Sequence, residues 1–214
     1  ETVYTEFIKR AQSYKNIFNP ENGFHAPKAN GTFLTPFDPK EVNFNYTEAN
    51  GWQYNFCVPQ DISGYINLLG GEKIFADKLD SMFEADSQTT GRDQSDITGL
   101  IGQYAHGNEP SHHMAYLYAW TSQPWKTQFY CDSILDNLYT NAPDGLSGNE
   151  DCGQMSAWYV LSALGFYPVN PADGNFVFGS PQHSEATIHL ENGKTFRIRT
   201  VGLSDKNKYI QQVT

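Results

Sequence analysis

The spacing of apolar residues changes once along this chain, and this change restricts the folds that the chain can adopt. Up to residue 164, apolar residues recur at intervals typical of one face of a helix. Beyond residue 174 they alternate with polar residues, and Asn192-Gly193 separates two alternating segments, which predicts a β-hairpin. Helices and strands do not alternate, which excludes a doubly wound parallel sheet. We therefore predict α-helical hairpins followed by a small β region.

The predicted helices are separated by long polar loops. The loop at 19–47 is unusually long for a compact domain, a feature typical of functional segments. Loop-then-helix units recur, as in an α/α toroid. We divide the chain into a helical region at 1–172 and a β-strand region at 173–214, the latter predicted to be part of a β-sandwich layer. The predicted elements are helices at 1–18, 60–69, 70–85, 112–120, 125–139 and 154–164, and strands in NFVFGS, ATIHLE, KTFRIRTVG and KYIQQV.

Composition excludes several classes of partner. The formal net charge is -10 without any basic run, which argues against nucleic acid and anionic membranes. No apolar run approaches 20 residues, so we expect no membrane insertion. The three cysteines form no readable zinc or disulfide framework, and we expect buried free thiols. An acidic chain with 14% aromatic residues fits neutral ligands such as sugars.

The first polar cluster surrounds a glutamate in YTEANGWQYNFCVPQD, residues 46–61. Glu48 lies among Tyr46, Trp52 and Tyr54, just before a predicted helix. Aromatic neighbours remove water from a carboxylate and favour its protonated form, which a general acid needs. The alternative is that Glu48 is a solvated loop residue or a helix cap.

The second cluster is HGNEPSHHMAYLYAW, residues 106–120. Asn108 and Glu109 offer hard oxygen ligands, which favour a calcium ion over zinc. The histidines lack the spacing of a helical zinc pair, although a zinc site including His106 and His112 stays open. The alternative is a helix capped by Ser111, with histidines that are buried and bonded to the backbone.

The third cluster, SGNEDCGQ, precedes the helix predicted at 154–164. Asp151 lies close to the helix start, where a negative charge is favoured and suits a general base. Its neighbours Asn149 and Gln154 are polar, and the flanking glycines allow close approach to a ligand. An ordinary N-cap is the alternative. Two carboxylates in contrasting environments are the usual requirement for cleaving a glycosidic bond.

These segments resemble a known family over essentially all 214 residues. HGNEPSHHMAYLYAW and SGNEDCGQMSAWYVLSALGFYPVNP are similar to hallmark segments of the glycoside hydrolase family 92 α-mannosidases. YTEANGWQYNFCVPQD resembles that family's Y-x-E-G-N-A-W-Q-Y segment, with Ala49 and Gly51 where Gly and Ala are usual. The resemblance implies the C-terminal part of a longer enzyme: a mainly α fold, part of an (α/α)6 barrel, followed by a small β-strand region.

The resemblance also implies an activity. Members of the resembled family are inverting, calcium-dependent exo-α-mannosidases that remove terminal α-linked mannose from N-glycans or mannans. We expect an α-1,2-type enzyme. Implied partners are a mannose-containing glycan and the remaining N-terminal β-sandwich and first barrel helices. A periplasmic, outer-surface or secreted location in a bacterium is implied too.

Residue by residue, the resemblance assigns the general acid to Glu48 and the general base to Asp151. It places Asn108 and Glu109 at the Ca2+ ion. The residues implied to line the pocket for the terminal mannose are Trp52, His106, His112, Asn149 and Gln154. Two alternatives stay open: an α/α-barrel glycosidase for another sugar, and a non-catalytic carbohydrate-binding or structural fragment.

Overall fold

The computed structural model describes residues 2–214, which form two compact units. The first unit ends at Met114 and the second is Ala115–Thr214. Both units combine helices with small two-stranded sheets, so the fold is mixed where the sequence analysis predicted a mainly α chain. The predicted domain division between residues 172 and 173 stays a prediction.

The first unit contains four α-helices and eight short strands among its described residues. The helices predicted at 60–69 and 70–85 are confirmed as α3 and α4. The one predicted at 1–18 ends early, because the chain passes into a 3₁₀ turn at Ser13–Asn16 and then pairs as a strand. The helices are α1 Thr2–Ala11, α2 Gly51–Asn55, α3 Ile62–Leu69 and α4 Glu72–Glu84.

The long loops of the first unit are ordered by paired strands of two residues each. Three pairs are antiparallel, β1 with β2, β3 with β4 and β7 with β8, whereas β5 and β6 are parallel. The β3–β4 turn uses Asn30 and Gly31, whose φ angles of 50° and 82° suit an Asn-Gly hairpin. The strands are β1 Phe18–Asn19, β2 Phe24–His25, β3 Lys28–Ala29, β4 Thr32–Phe33, β5 Glu41–Val42, β6 Thr90–Gly91, β7 Leu100–Ile101 and β8 Tyr104–Ala105.

Aromatic rings form the core of the first unit. Phe75 on α4 meets Tyr65 on α3 edge to face, with ring centres 6.0 Å apart. Phe56, which follows α2, contacts both rings in the same edge-to-face manner. All three side chains are buried, so α2 is held against α3 and α4 by packing. Because α2 begins three residues after Glu48, this packing also holds the segment that carries Glu48.

The second unit contains helices α5 Trp125–Asn137 and α6 Gln154–Leu164, both close to the predicted ranges. The segment predicted as a helix at 112–120 is a 3₁₀ helix over Met114–Trp120. Its residues up to Tyr118 are fully buried, so packing on all sides sets its geometry in place of an amphipathic pattern.

Four strands complete the second unit. The Asn192-Gly193 hairpin is confirmed, with β11 Glu185–His189 antiparallel to β12 Thr195–Arg199, and β9 Phe166–Tyr167 pairs with β10 Val177–Phe178. The strand predicted in KYIQQV is wrong. There the Ile210 amide donates to the Gln128 side chain on α5 over 2.6 Å, and Lys208 pairs with Asp132, so side chains replace a strand partner.

The three cysteines are free thiols, as expected, but only Cys131 is buried, whereas Cys57 and Cys152 are exposed. Within residues 2–214, every helix is too short or too polar to cross a lipid bilayer.

Candidate active site

Glu48 occupies a bend immediately before α2, in the first unit. Its φ angle is 60°, in the left-handed region that residues with a side chain rarely adopt. Such backbone strain is concentrated at functional sites. The side chain is exposed, so the loss of hydration expected from the sequence is not seen in this chain. Its negative charge nevertheless reaches Tyr54, whose pKa is raised mainly by burial and further by the charges of Cys57 and Glu48.

A pair of buried amides fixes the chain beside Glu48. Asn50 caps α2 by accepting from the Gln53 amide, while the Gln53 side chain accepts from the Asn50 amide. The Asn50 side chain also donates to Gln103 over 2.9 Å, and Gln103 in turn donates to the Asp86 carbonyl. The bend that carries Glu48 is thereby tied to the segment leading into the histidine cluster. Sequence reasoning missed this pair, although the N-x-x-Q capping pattern was a signal for its first half.

Asp151 lies in the second unit, in a 3₁₀ turn over Asp151–Gly153. Three successive residues are left-handed, with φ angles of 50° at Asp151, 58° at Cys152 and 96° at Gly153. The Asp151 side chain is exposed, as is that of Asn149. The two predicted catalytic carboxylates therefore share an unusual backbone conformation, each in its own unit.

The capping alternative for this segment applies to Glu150. Its carboxylate accepts from the Ser156 amide over 3.0 Å and from the Ser156 hydroxyl over 2.9 Å, which caps the first turn of α6. Asp151 makes no such bond to the first turn of α6, whose N-cap residue is Gly153. Helix capping thus accounts for Glu150 and leaves Asp151 available for another role.

Gln154 begins α6 and is oriented by an aromatic group. Its side-chain amide donates to the Tyr167 hydroxyl over 3.3 Å. The Tyr167 ring stacks on Tyr116, with ring centres 5.1 Å apart, and Tyr139 stacks on Trp158. The first turn of α6 is therefore rigidly supported.

The histidines of the second cluster are buried and engaged. His106 Nδ1 lies 2.8 Å from the Tyr104 hydroxyl, and His112 Nε2 lies 2.9 Å from the His106 carbonyl oxygen. His113 Nε2 lies 2.7 Å from the Phe56 carbonyl oxygen. Burial, aided by His112, lowers the pKa of His106 to about 2, and burial lowers that of His113. The His106 and His113 rings are therefore neutral at pH 7.

The metal-binding potential of this cluster differs between zinc and calcium. Among residues 2–214, three or more His, Cys, Asp or Glu side chains never come together as a metal site, so no zinc triad is seen. Asn108 is buried and makes no capping bond, and the adjacent Glu109 is half-buried. Two hard oxygen donors fit calcium in kind but supply only part of the six to eight oxygens that calcium takes.

The structure brings the first two sequence clusters together. Helix α2 packs against the 3₁₀ helix Glu109–Ser111, which places the segment of Trp52 beside that of Asn108 and Glu109. The third cluster, with Asn149, Asp151 and Gln154, belongs to the second unit. The separation of Glu48 and Asp151 stays a prediction.

Comparison with known proteins gives one family. The family model described as "Glycosyl hydrolase family 92 catalytic domain" matches residues 1–214. A family GH92 α-mannosidase from Bacteroides thetaiotaomicron, solved in complex with mannoimidazole, is 40% identical with a TM-score of 0.88. The match covers 97% of this chain and 28% of that chain.

Two further relatives extend the comparison. A family GH92 inverting mannosidase from the same bacterium is 36% identical, with a TM-score of 0.79 over 94% of this chain and 28% of that one. An uncharacterized secreted glycosidase from the fungus Arthroderma benhamiae is 26% identical over 99% of this chain and 29% of its own. The chain therefore spans less than a third of the length of these relatives.

Proposed function

Because this chain belongs to glycosyl hydrolase family 92, we propose that it is part of an enzyme that removes terminal α-linked mannose from glycans. The observation that carries this proposal is the 40% identity, at a TM-score of 0.88, to an α-mannosidase solved with mannoimidazole. We further propose α-1,2-linked mannose of N-glycans or mannans as the substrate.

The proposed reaction uses two carboxylates. Glu48 donates a proton to the glycosidic oxygen, and Asp151 accepts a proton from the water that attacks C1 from the opposite face. The outcome is inversion, as in the 36% identical inverting mannosidase. Inverting enzymes need their carboxyl groups roughly 6.5–9.5 Å apart to admit that water. The left-handed backbone at both residues supports these roles, because strain of this kind persists where function requires it.

A calcium ion completes the proposed site. Asn108 and Glu109 would hold it through their side-chain oxygens, and the remaining ligands come from water, sugar hydroxyls and the rest of the enzyme. When bound, calcium supplies a positive charge that fixes adjacent hydroxyls of the mannose. We propose that Trp52, His106, His112, Asn149 and Gln154 line the pocket around this sugar. Neutral, buried His106 suits a neutral ligand.

The rest of the enzyme supplies the missing structure. We propose that the helices belong to an (α/α)6 barrel and that the chain acts with an N-terminal β-sandwich and the first barrel helices. On α1, Val3 and Phe7 are 67% and 59% exposed, which is consistent with a face that another segment covers. We also propose secretion or an outer-surface location, because the fungal relative is a secreted glycosidase.

The test uses the full-length enzyme and aryl glycosides. We expect hydrolysis of the α-mannoside, little hydrolysis of the glucoside or fucoside, and loss of activity with a chelator that calcium reverses. Glu48→Gln and Asp151→Asn should each lower kcat by about 10²–10⁴-fold. The matched control is Glu150→Gln, which weakens a helix cap but should leave the acid and base in place.

The outcomes separate the alternatives. Unchanged turnover in both carboxylate variants would reject the assigned roles. Preference for a glucoside or fucoside would identify a glycosidase for another sugar. Binding of mannose without any hydrolysis would identify a carbohydrate-binding module.

A further inference from the structure

Lys78 on α4 lies against two aromatic rings beside the proposed sugar pocket. Its Nζ is 3.6 Å from the centre of the Phe24 ring and 5.4 Å from that of Trp52. The same nitrogen donates to the Asn22 carbonyl over 3.2 Å. Within residues 2–214 this ammonium forms no salt bridge. Its charge is therefore balanced by ring faces and one carbonyl, which is a costly arrangement for a half-buried lysine.

Phe24 connects the lysine to Trp52. The Phe24 and Trp52 rings meet edge to face with centres 4.7 Å apart, and Phe24 is 6% exposed while Trp52 is half-buried. The indole is thus held against Phe24 and stays partly accessible to solvent. Burial lowers the pKa of Lys78 to about 8, which is consistent with an ammonium held close to the rings and still mostly charged at pH 7.

Trp52 needs such support because its own helix is short. Helix α2 has five residues and begins three residues after Glu48, too few turns to fix a large ring without tertiary contacts. A ring that packs on a sugar must be held in one orientation before binding, since ordering it costs affinity. The contact from Lys78 through Phe24 supplies that order.

From this geometry we infer that Lys78 is a positioning residue that holds Trp52 in the orientation required to bind the terminal sugar. This inference rests on the proposed function for the identity of the sugar. Lys78 touches neither substrate nor reacting atoms in this role. Its loss should therefore weaken binding of substrate more than it slows the chemical step.

The kinetic test uses the full-length enzyme and an aryl α-mannoside. We expect Lys78→Met to raise KM roughly 3- to 10-fold, as loss of a cation–π contact predicts, with kcat changed less than about 2-fold. Lys78→Arg should restore KM, because guanidinium retains the charge and the ring contact. The matched control is Lys73→Met, which removes an exposed lysine of the same helix that pairs with Asp77. A fall in kcat with unchanged KM would overturn the inference.

A double-mutant cycle and fluorescence isolate the role of Trp52. If Lys78 acts through Trp52, the Lys78→Met/Trp52→Phe enzyme should have the KM of Trp52→Phe alone, whereas multiplicative effects would overturn the inference. Acrylamide quenching of Trp52, taken as the difference from Trp52→Phe, should increase in Lys78→Met. Phe24→Leu interrupts the same contacts between Lys78 and Trp52 and should also increase the quenching of Trp52. It replaces Lys78→Met in this test if that variant does not fold.

Fluorescence also separates this inference from the proposed function. If the enzyme lacks mannosidase activity but shows the expected change in quenching, the proposed sugar is rejected and the role of Lys78 is retained. An active enzyme whose Trp52 quenching and KM are unaffected by both variants would reject only the role of Lys78.

Discussion

At the scale of single residues, strain marks the two proposed catalytic carboxylates. Glu48 and Asp151 both have left-handed backbone without being glycine. Left-handed geometry costs a residue with a Cβ atom roughly 1–2 kcal/mol. Neither angle could be predicted from the sequence, because Glu rarely adopts this conformation and Asp, although enriched in it, adopts it only occasionally. A protein keeps such strain where the side chain itself is needed.

Of the residues that could replace Glu48, glycine should relieve the backbone strain because it has no Cβ atom. We expect Glu48→Gly to be about 1 kcal/mol more stable than Glu48→Ala, because only the alanine keeps a Cβ atom in the left-handed region. Both variants lose the carboxylate and should lose activity equally. Urea denaturation of the pair measures the difference, and equal stabilities would show that the bend is not strained in solution.

Gly51 lies where the resembled family usually has alanine, and its surroundings give a second prediction. A Cβ atom there would lie 3.0 Å from Cζ of Phe37 and 3.2 Å from Cα of Pro39. The proline backbone cannot move easily, so Gly51→Ala should destabilise the protein by about 1–3 kcal/mol. Phe37→Leu in the same chain should recover part of the loss by making room. A neutral Gly51→Ala would mean that the 37–39 loop adjusts without cost.

At the scale of helices and strands, apolar spacing and turn residues correctly predicted the elements that interactions between neighbouring residues determine. Helices α3, α4, α5 and α6 follow their apolar spacing, and the Asn192-Gly193 hairpin follows its turn residues. The predictions that failed depended on distant partners. The 3₁₀ helix over Met114–Trp120 is buried up to Tyr118, and KYIQQV binds side chains of α5 in place of a strand.

The candidate site shows the same division. Sequence reasoning located the polar clusters at the entrances of α2 and α6, because caps and glycines are local signals. It did not find Lys78, which is 26 positions from Trp52 in sequence, or the amide of Gln103 that binds Asn50. Such contacts form only when α4 and the 100–105 segment fold against α2. Desolvation of Glu48 was predicted from its aromatic neighbours, yet their rings pack on other groups and leave the carboxylate exposed.

The amide pair gives a prediction for the start of α2. Asn50→Ala removes a helix cap and also leaves the buried Gln103 oxygen without its donor. We expect a loss of about 2–4 kcal/mol, the sum of a cap and an unsatisfied buried group. Asn50→Asp is the informative companion, because it keeps the cap but cannot donate to Gln103. If Asn50→Asp proves as stable as the wild type in urea denaturation, the amide bond contributes nothing and the cap alone matters.

At the scale of the whole molecule, buried neutral histidines make the free energy of unfolding depend on pH. Burial lowers the pKa of His25 to about 4 and that of His106 to about 2, against about 6.5 in the unfolded chain. His113 is shifted in the same direction. Between pH 6.5 and 4 the unfolded chain therefore binds protons that the folded chain does not. The free energy of unfolding must fall as the pH is lowered through this window.

The slope of that fall can be measured and attributed. Each histidine contributes up to about 1.4 kcal/mol per pH unit once the pH is well below 6.5. Urea midpoints at pH 7, 6 and 5 should decline steeply, and His25→Gln should reduce the slope because one proton fewer is taken up on unfolding. The exposed His189 offers the control: His189→Gln should leave the slope unchanged. His25, His106 and His113 all pack in the unit that carries Glu48, Trp52 and Lys78, so acid that unfolds this unit should abolish sugar binding at the same midpoint. A flat profile from pH 7 to 5 would mean that the histidine rings take up protons in the folded protein, and the neutral character assigned to His106 in the sugar pocket would have to be abandoned.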